Sequence, residues 1–217
     1  MREFARGLWL GAVVGLVAVA VSVFAFPAAV AGRTDSTGKT VTVEVANVSV
    51  RYPSSWTRYP LTEKTLAAQQ RRVAEKSPLL ALSPAQQECL LKRAVFYASD
   101  LDSARPGRPL SSVSVREFTR GSFPSSLEEF RSGRTPRFEA AGVTILDTSA
   151  VRTSGKPSYR IEVLLSLKAP DGTPGEVRIG QLLVPHGRGG TVITVKVSAD
   201  DAAAQFVDDV LGSARRV

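Results

Sequence analysis

Tyr159, Ile161, Val163, Leu165 and Leu167 stand at alternate positions between Arg160, Glu162, Ser166 and Lys168, with Leu164 the one interruption. Side chains two apart on a strand share a face, so this stretch is a strand with one buried face and one wet face. Its partners come next along the chain. The turn-forming "PDGTPG" at 170–175 leads into a strand over Glu176–Val184, and "HGRGG" leads into another over Thr191–Ser198, with Ile193, Val195 and Val197 inward. Short turns between alternating runs make an antiparallel meander. A strand over Val143–Arg152 joins it through "TSGK", and shorter strands are expected at Ala94–Ala98 and Ser112–Phe118.

The domain opens near Thr40 with the same alternation. Val41, Val43 and Val45 are at odd positions and Val48, Val50 and Tyr52 at even ones, so a turn or bulge at Ala46-Asn47 is needed to keep one face buried. Helical signals sit elsewhere. Thr62–Lys76 consists of good helix formers, and Ser83-Pro84-Ala85-Gln86 combines a capping serine, a first-turn proline and a glutamine that closes a capping box, opening a helix to about Arg93. With "SPLLALS" as the break between them, residues 62–93 read as a helical insertion. Ser125-Ser126-Leu127-Glu128 opens a short helix ending near Gly133. A last helix, capped at Ser198-Ala199-Asp200-Asp201, carries Ala203, Phe206, Val207, Val210, Leu211 and Ala214 on one face. These elements define an α+β fold over residues 40–217: a central antiparallel sheet sandwiched by helices.

The first 31 residues are of another kind. "MREFARG" places two arginines against one glutamate ahead of the uncharged run Leu8–Phe26, which orients the start of the chain to the cytoplasm and the remainder outside it. As an N-terminal hydrophobic helix this run would reach ~28 Å, close to the ~30 Å hydrocarbon core. Pro27 breaks it, and Ala29-Val30-Ala31 offers the small residues that a signal peptidase reads, with cleavage before Gly32. Residues 1–31 are thus either a cleaved signal peptide or an uncleaved membrane anchor, and residues 32–39, "GRTDSTGK", are a flexible lead. Both alternatives put the domain outside the cytoplasm, secreted or anchored to the outer face of the membrane. A lipid-anchored form is excluded on this segment, because no cysteine follows the apolar run.

The formal charge of +8 makes anionic partners such as wall polymers or lipid headgroups plausible. Nucleic acid is not among them, since the basic residues are scattered, with no basic run and no helical stripe interleaved with aromatics. A single cysteine, Cys89, rules out an internal disulfide and a C-x-x-C site, and its apolar neighbours make it a small buried hydrophobe. His186 is the only histidine, set in the turn "PHGRGG", where an exposed, uncommitted ring is expected. Neither G-x-S-x-G nor H-E-x-x-H occurs. Gly187, Gly189 and Gly190 lead into a strand instead of a phosphate-binding helix. Glu128-Glu129 and Asp208-Asp209 are helix neighbours that point in different directions. No catalytic, cofactor or metal residue is expected, and the chain reads as a non-enzyme.

The order Tyr52-Pro53-x-x-Trp56, helical insertion, Phe96-Tyr97-Ala98-x-Asp100, "SGKPSYRIEV" and the closing "FVDDVLGSAR" resembles the PsbP-like domains of actinobacterial envelope lipoproteins of the LpqN type, over residues 40–217. The chain departs from that pattern in lacking the lipid-carrying cysteine. The resemblance implies a binding or assembly role without shared catalytic residues, and a partner that is an envelope protein. The alternative is a carrier holding a small lipid or anionic ligand between the sheet and the insertion. One corner stands out as ligand-contacting or structural: Tyr52, Pro53, Trp56 and Tyr59. Pro53 removes a ladder donor and ends its strand, and Trp56 just beyond can fold back over the core, burying on the order of 200 Å². The structural plug is the expected role.

Overall fold

The computed structural model describes residues 39–76, 84–103, 110–119, 124, 126–140, 142–168, 174–187, 189–200 and 202–217. The signal or anchor segment, residues 32–38 of the lead and the "SPLLALS" break lie outside them. Among the described residues no helix is long and apolar enough to cross a membrane.

The chain is α+β, with two antiparallel sheets in place of the single one expected. β1 (Thr40–Val45), β2 (Val48–Pro53) and β10 (Arg215–Arg216) form a three-stranded sheet in the order β1-β2-β10. The larger sheet has seven strands in the order β3-β4-β5-β9-β8-β7-β6. They are β3 (Thr57–Arg58), β4 (Ala94–Asp100), β5 (Ser111–Thr119), β6 (Val143–Thr153), β7 (Lys156–Lys168), β8 (Pro174–His186) and β9 (Gly189–Ser198). The meander from β6 to β9 pairs each strand with the next, as local turn chemistry dictates.

Two of those turns explain their sequences. Ala46 and Asn47 both have positive φ, 49° and 61°, so they form the two-residue turn whose twist suits a hairpin. That turn sets Val45 opposite Val48 and Val43 opposite Val50, which brings odd and even valines onto one face. Ser154 and Gly155, at φ 50° and 76°, do the same between β6 and β7.

The four helices among the described residues divide between the faces of the large sheet. α4 (Ala203–Gly212) and the small sheet cover the front face, where Phe96, Val113, Val115, Leu182, Ile193 and Val195 pack against Val43, Val50, Phe206, Val207 and Leu211. α1 (Glu63–Lys76), α2 (Pro84–Arg93) and α3 (Leu127–Ala140) cover the back face. There Leu66 and Leu90 meet Tyr59 and Tyr97, while Phe138 meets Ile161, Val163 and Leu183.

Three expectations need correction. The helix begun by the serines does not stop near Gly133 but runs to Ala140 through Pro136. Ser126 supplies the cap, its hydroxyl accepting the Glu129 amide at 3.0 Å. Beyond the proline, Phe138 is buried in the back core, and that burial outweighs the lost backbone bond. The closing helix is not capped by Ser198, which remains in β9; Asp200 instead accepts the Ala202 amide at 3.2 Å, and no side chain caps the helix itself. Nor is the polar face of β7 wet. Ser158 and Glu162 are buried, because α4 lies over that face. Glu162 is tolerated there by pairing with Arg160 and Arg178, and Arg160 reaches on to Asp208 of α4.

Candidate functional site

The corner begins where β2 ends. After Pro53 the chain turns, the Trp56 amide donating to the Pro53 carbonyl at 3.1 Å, and Trp56 folds back onto α4. Its ring stacks on Phe206 with centroids 5.4 Å apart and planes 27° apart, and only 7% of the residue is exposed. Tyr52 lies in the same front core, 5.3 Å from Phe96. Tyr59 goes the other way. It joins the back cluster under α1 and α2, 6.1 Å from Tyr97, and its amide donates to the Tyr97 carbonyl. Pro53 is half-buried. The structure therefore brings Tyr52 and Trp56 together and sends Tyr59 to the opposite face of the sheet.

His186 is committed. Its Nε2 lies 2.8 Å from the Thr191 hydroxyl, which itself donates to the Ala46 carbonyl at 2.7 Å. A hydroxyl has one proton, and Thr191 gives it to Ala46, so His186 must be the donor through Nε2–H. The ring thus braces the positive-φ turn at Ala46-Asn47 against the tip of the β8–β9 hairpin. The paired carboxylates are likewise occupied elsewhere: Asp208 faces Arg160 and Asp209 accepts from Gln205 at 2.7 Å. Among the described residues no cluster of histidine, cysteine and carboxylate side chains could hold a metal ion. The Cys89 side chain lies outside what is described.

Two features escaped the sequence reading. The first is the free edge of the large sheet. β6 closes the strand order and is 11 residues long. A register shift between Ile145 and Asp147 bulges it, leaving Leu146 42% exposed. Part of the edge is guarded, because Arg131 of α3 donates to the Thr148 carbonyl at 2.5 Å.

The second is a polar strip on the back face, between the cluster under α1 and α2 and the one under α3. Ser112 lies opposite Lys196, and Ser114 opposite Thr194, which lies opposite Gln181. Arg116 shares this face two residues on. Ser114, Arg116 and Gln181 are buried, whereas Ser112, Thr194 and Lys196 are half-buried. Burial holds the Lys196 ammonium down to about 8. Beside the strip, burial pushes the Tyr97 hydroxyl up to about 12, against the pull of hydrogen bonds with Gln69, Ser99 and Ser112. In the sequence Ser112, Ser114 and Arg116 alternate with Val113 and Val115, and Thr194 and Lys196 with Val195 and Val197.

No family model matches the chain, and no curated protein matches it. Solved structures similar to it include cyanobacterial PsbP from Synechocystis, at 14% identity and a TM-score of 0.46, covering 86% of this chain and 98% of that one. LpqN, involved in cell envelope biogenesis of Mycobacterium tuberculosis, is similar at 10% identity and a TM-score of 0.41, covering 84% of this chain and 86% of that one. The Ran-binding protein Mog1p of Saccharomyces cerevisiae is similar at 12% identity and a TM-score of 0.45, covering 83% of this chain and 97% of that one.

Proposed function

We propose that residues 40–217 are a PsbP-like, non-catalytic binding domain that works outside the cytoplasm and docks an envelope protein along β6. The observation that carries the reading is the eleven-residue edge strand, which has no further strand paired to it among the described residues and is bulged so that Leu146 stands out from it. An edge of that length offers main-chain hydrogen bonds to an extended segment, and an exposed leucine offers that segment an apolar anchor. Location outside the cytoplasm is supported by the basic start and the apolar run Leu8–Phe26, which acts as signal peptide or anchor. In this reading the corner at Tyr52, Pro53, Trp56 and Tyr59 is structural: it closes the front core over α4 and starts the path to the back.

The test places a photo-crosslinking residue at Leu146 in the full chain in its own envelope, with the same residue at Thr42 on β1 as control. A discrete adduct from position 146, absent from position 42, together with an adduct from a crosslinker at Thr144 that is lost when Leu146→Lys is added, supports docking at β6. Equal labelling from both positions, or none from 146, sinks it.

A second reading, a carrier of a small anionic ligand, is favoured by the polar strip. A native mass spectrum of protein purified from its envelope, taken before and after denaturation, separates the two. An adduct lost on denaturation belongs to a carrier.

A further inference from the structure

The backbone of β6 narrows what can dock along it. Ser154-Gly155 is a two-residue turn closed by Thr153 and Lys156, a pair that exchanges both backbone bonds in such hairpins. Bonded pairs alternate along an antiparallel ladder, so Thr148, Ala150 and Arg152 turn their N–H and C=O groups away from β7. Two observations agree. Pro157, which has no N–H to give, stands opposite Arg152, and the Thr148 carbonyl is free of β7 to accept from Arg131 of α3 at 2.5 Å. Thr148 and Ala150 also stand opposite Ile161 and Tyr159 of the back cluster, which puts them and Arg152 on the back face, while Asp147, opposite Glu162, is on the front.

Charge divides across the same edge. The back rim carries Arg131 at Thr148 and Arg152 four residues further on, about 14 Å along the strand, with only the methyl group of Ala150 between them. Both arginines and Ala150 are exposed. Arg131 donates to the Thr148 carbonyl and Arg152 to the Gly155 carbonyl at 2.8 Å, and among the described residues neither forms an ion pair. The acid of this strand, Asp147, lies on the front rim, where its Oδ2 accepts from the Ser149 hydroxyl. A neutral carbonyl is a weaker acceptor for a guanidinium than a carboxylate, which meets two N–H groups of the fork at once. An added strand needs the Thr148 carbonyl for its own N–H, so Arg131 must let go and find another acceptor.

We propose that β6 takes an extended acidic segment with two carboxylates four residues apart on its back side, one meeting the Arg131 guanidinium released from Thr148 and the other meeting Arg152. The inference rests on docking at β6 and names what docks. Side chains four apart on a strand share a face, and their spacing matches that of the two arginines. The Thr148 carbonyl passes from Arg131 to the incoming N–H, and the exchange of a carbonyl for a carboxylate offsets the release of Arg131. Asp147 repels a carboxylate placed beside it on the front, so the acids of the segment are confined to one face. Arg131 thus covers the edge in the free protein and helps to choose the partner.

The test keeps the crosslinker at Thr144 in the full chain in its own envelope and reverses single charges. Arg131→Glu and Arg152→Glu should each lower the adduct about threefold and together about tenfold, because sites this far apart act independently. Lys64→Glu on exposed α1 changes the net charge equally and should leave the adduct unchanged, and Asp147→Lys should not lower it. If a reversal disturbs the circular dichroism spectrum, Arg131→Gln and Arg152→Gln replace it and should each lower the adduct about twofold. Sequencing of the crosslinked segment should read two Asp or Glu four positions apart, and their replacement by lysine should restore the adduct to the doubly reversed chain. The proposal is overturned if both reversals leave the adduct undiminished, if Lys64→Glu lowers it as much, or if the segment lacks the acidic pair. No adduct from the unsubstituted chain at either Thr144 or Leu146 sinks docking at β6 itself, and the acidic partner with it.

Discussion

Gly180→Ala should destabilise the domain through a contact that no local feature of β8 reveals. Gly180 sits under α4, and a Cβ built there overlaps Val207 Cγ1 and comes within 3.0 Å of Leu211 Cδ1. Comfortable carbon contacts lie at about 3.5–4.0 Å, so one side must give. Val207 cannot rotate away cheaply, because a β-branched residue in a helix has one strongly preferred rotamer. It is also fully buried, with Phe206, Val210 and Leu211 in the same front core. The helix must therefore lift, and overpacking of that kind costs about 1–3 kcal/mol. Replacing a strand glycine returns about 0.5–1 kcal/mol, leaving a net loss of about 1 kcal/mol. For a domain of this size that is a fall in Tm of about 2–4 °C. Gly212 is the internal control, because a Cβ there meets nothing within 4 Å at the end of the same helix, so Gly212→Ala should hold Tm or raise it slightly. Thermal melts followed by circular dichroism, with urea midpoints as a second probe, read both. Gly180→Ala with an unchanged Tm would refute the seating of α4. So would failure of Val207→Ala to recover part of the loss in the double variant, since removing Cγ1 removes the clash.

Further outcomes rest on the same packing. Trp56→Ala should cost about 3–5 kcal/mol in urea denaturation, since it empties the ring site stacked on Phe206; a loss below about 1 kcal/mol would mean that the corner is not part of the core. Glu162→Gln keeps the shape but removes the negative charge between Arg160 and Arg178, and because Arg160 retains Asp208 the loss should fall near the lower end of about 3–5 kcal/mol; an unchanged urea midpoint would show that the arginines do not need it. Lys196 titrates at about 8 in the fold against 10.5 as a model side chain, so between those values the unfolded chain binds more protons and stability rises with pH, by up to about 3 kcal/mol. Tyr97 on that face is pushed up from 10.0 to about 12 and so opposes the rise at the top of the window, which makes the lower part of it the place to compare slopes. There the rise should vanish in Lys196→Met, and identical slopes in the two proteins would reject the desolvated lysine. A nitrogen NMR spectrum should show His186 as the Nε2–H tautomer when neutral, and a dominant Nδ1–H form would break the inferred chain to Ala46.

What the sequence made legible is what repeats locally. The alternation in Tyr159–Leu165 and Thr191–Ser198, and the turn residues Ala46-Asn47 and Ser154-Gly155, describe neighbours a few residues apart, and strands and hairpins arise from them. What it hid depends on partners far along the chain. The two-residue strand β10 has no pattern of its own and exists because Arg215 and Arg216 pair with Ser49 and Val48. Glu162 reads as a wet residue until α4, some forty positions later, is laid over it. The corner split for the same reason. Tyr52 and Tyr59 are close in sequence, but the chain crosses from the front core to the back between them, and no local spacing encodes that crossing.

The polar strip is the case where alternation gives the right strands and the wrong environment. Val113 and Val115 predict that β5 buries one face, and by the same rule Ser112, Ser114 and Arg116 should meet water. In a sheet covered on both faces that rule fails, and hydrophilic residues enclosed between two apolar clusters must be satisfied by each other or by something brought to them. Evolution has a simple alternative at such positions, since valine at Ser114 or leucine at Gln181 would extend the apolar floor that begins at Ile161 and Ile179. Burial on this face is set by the helices laid over it, which the alternation within β5 and β9 does not encode.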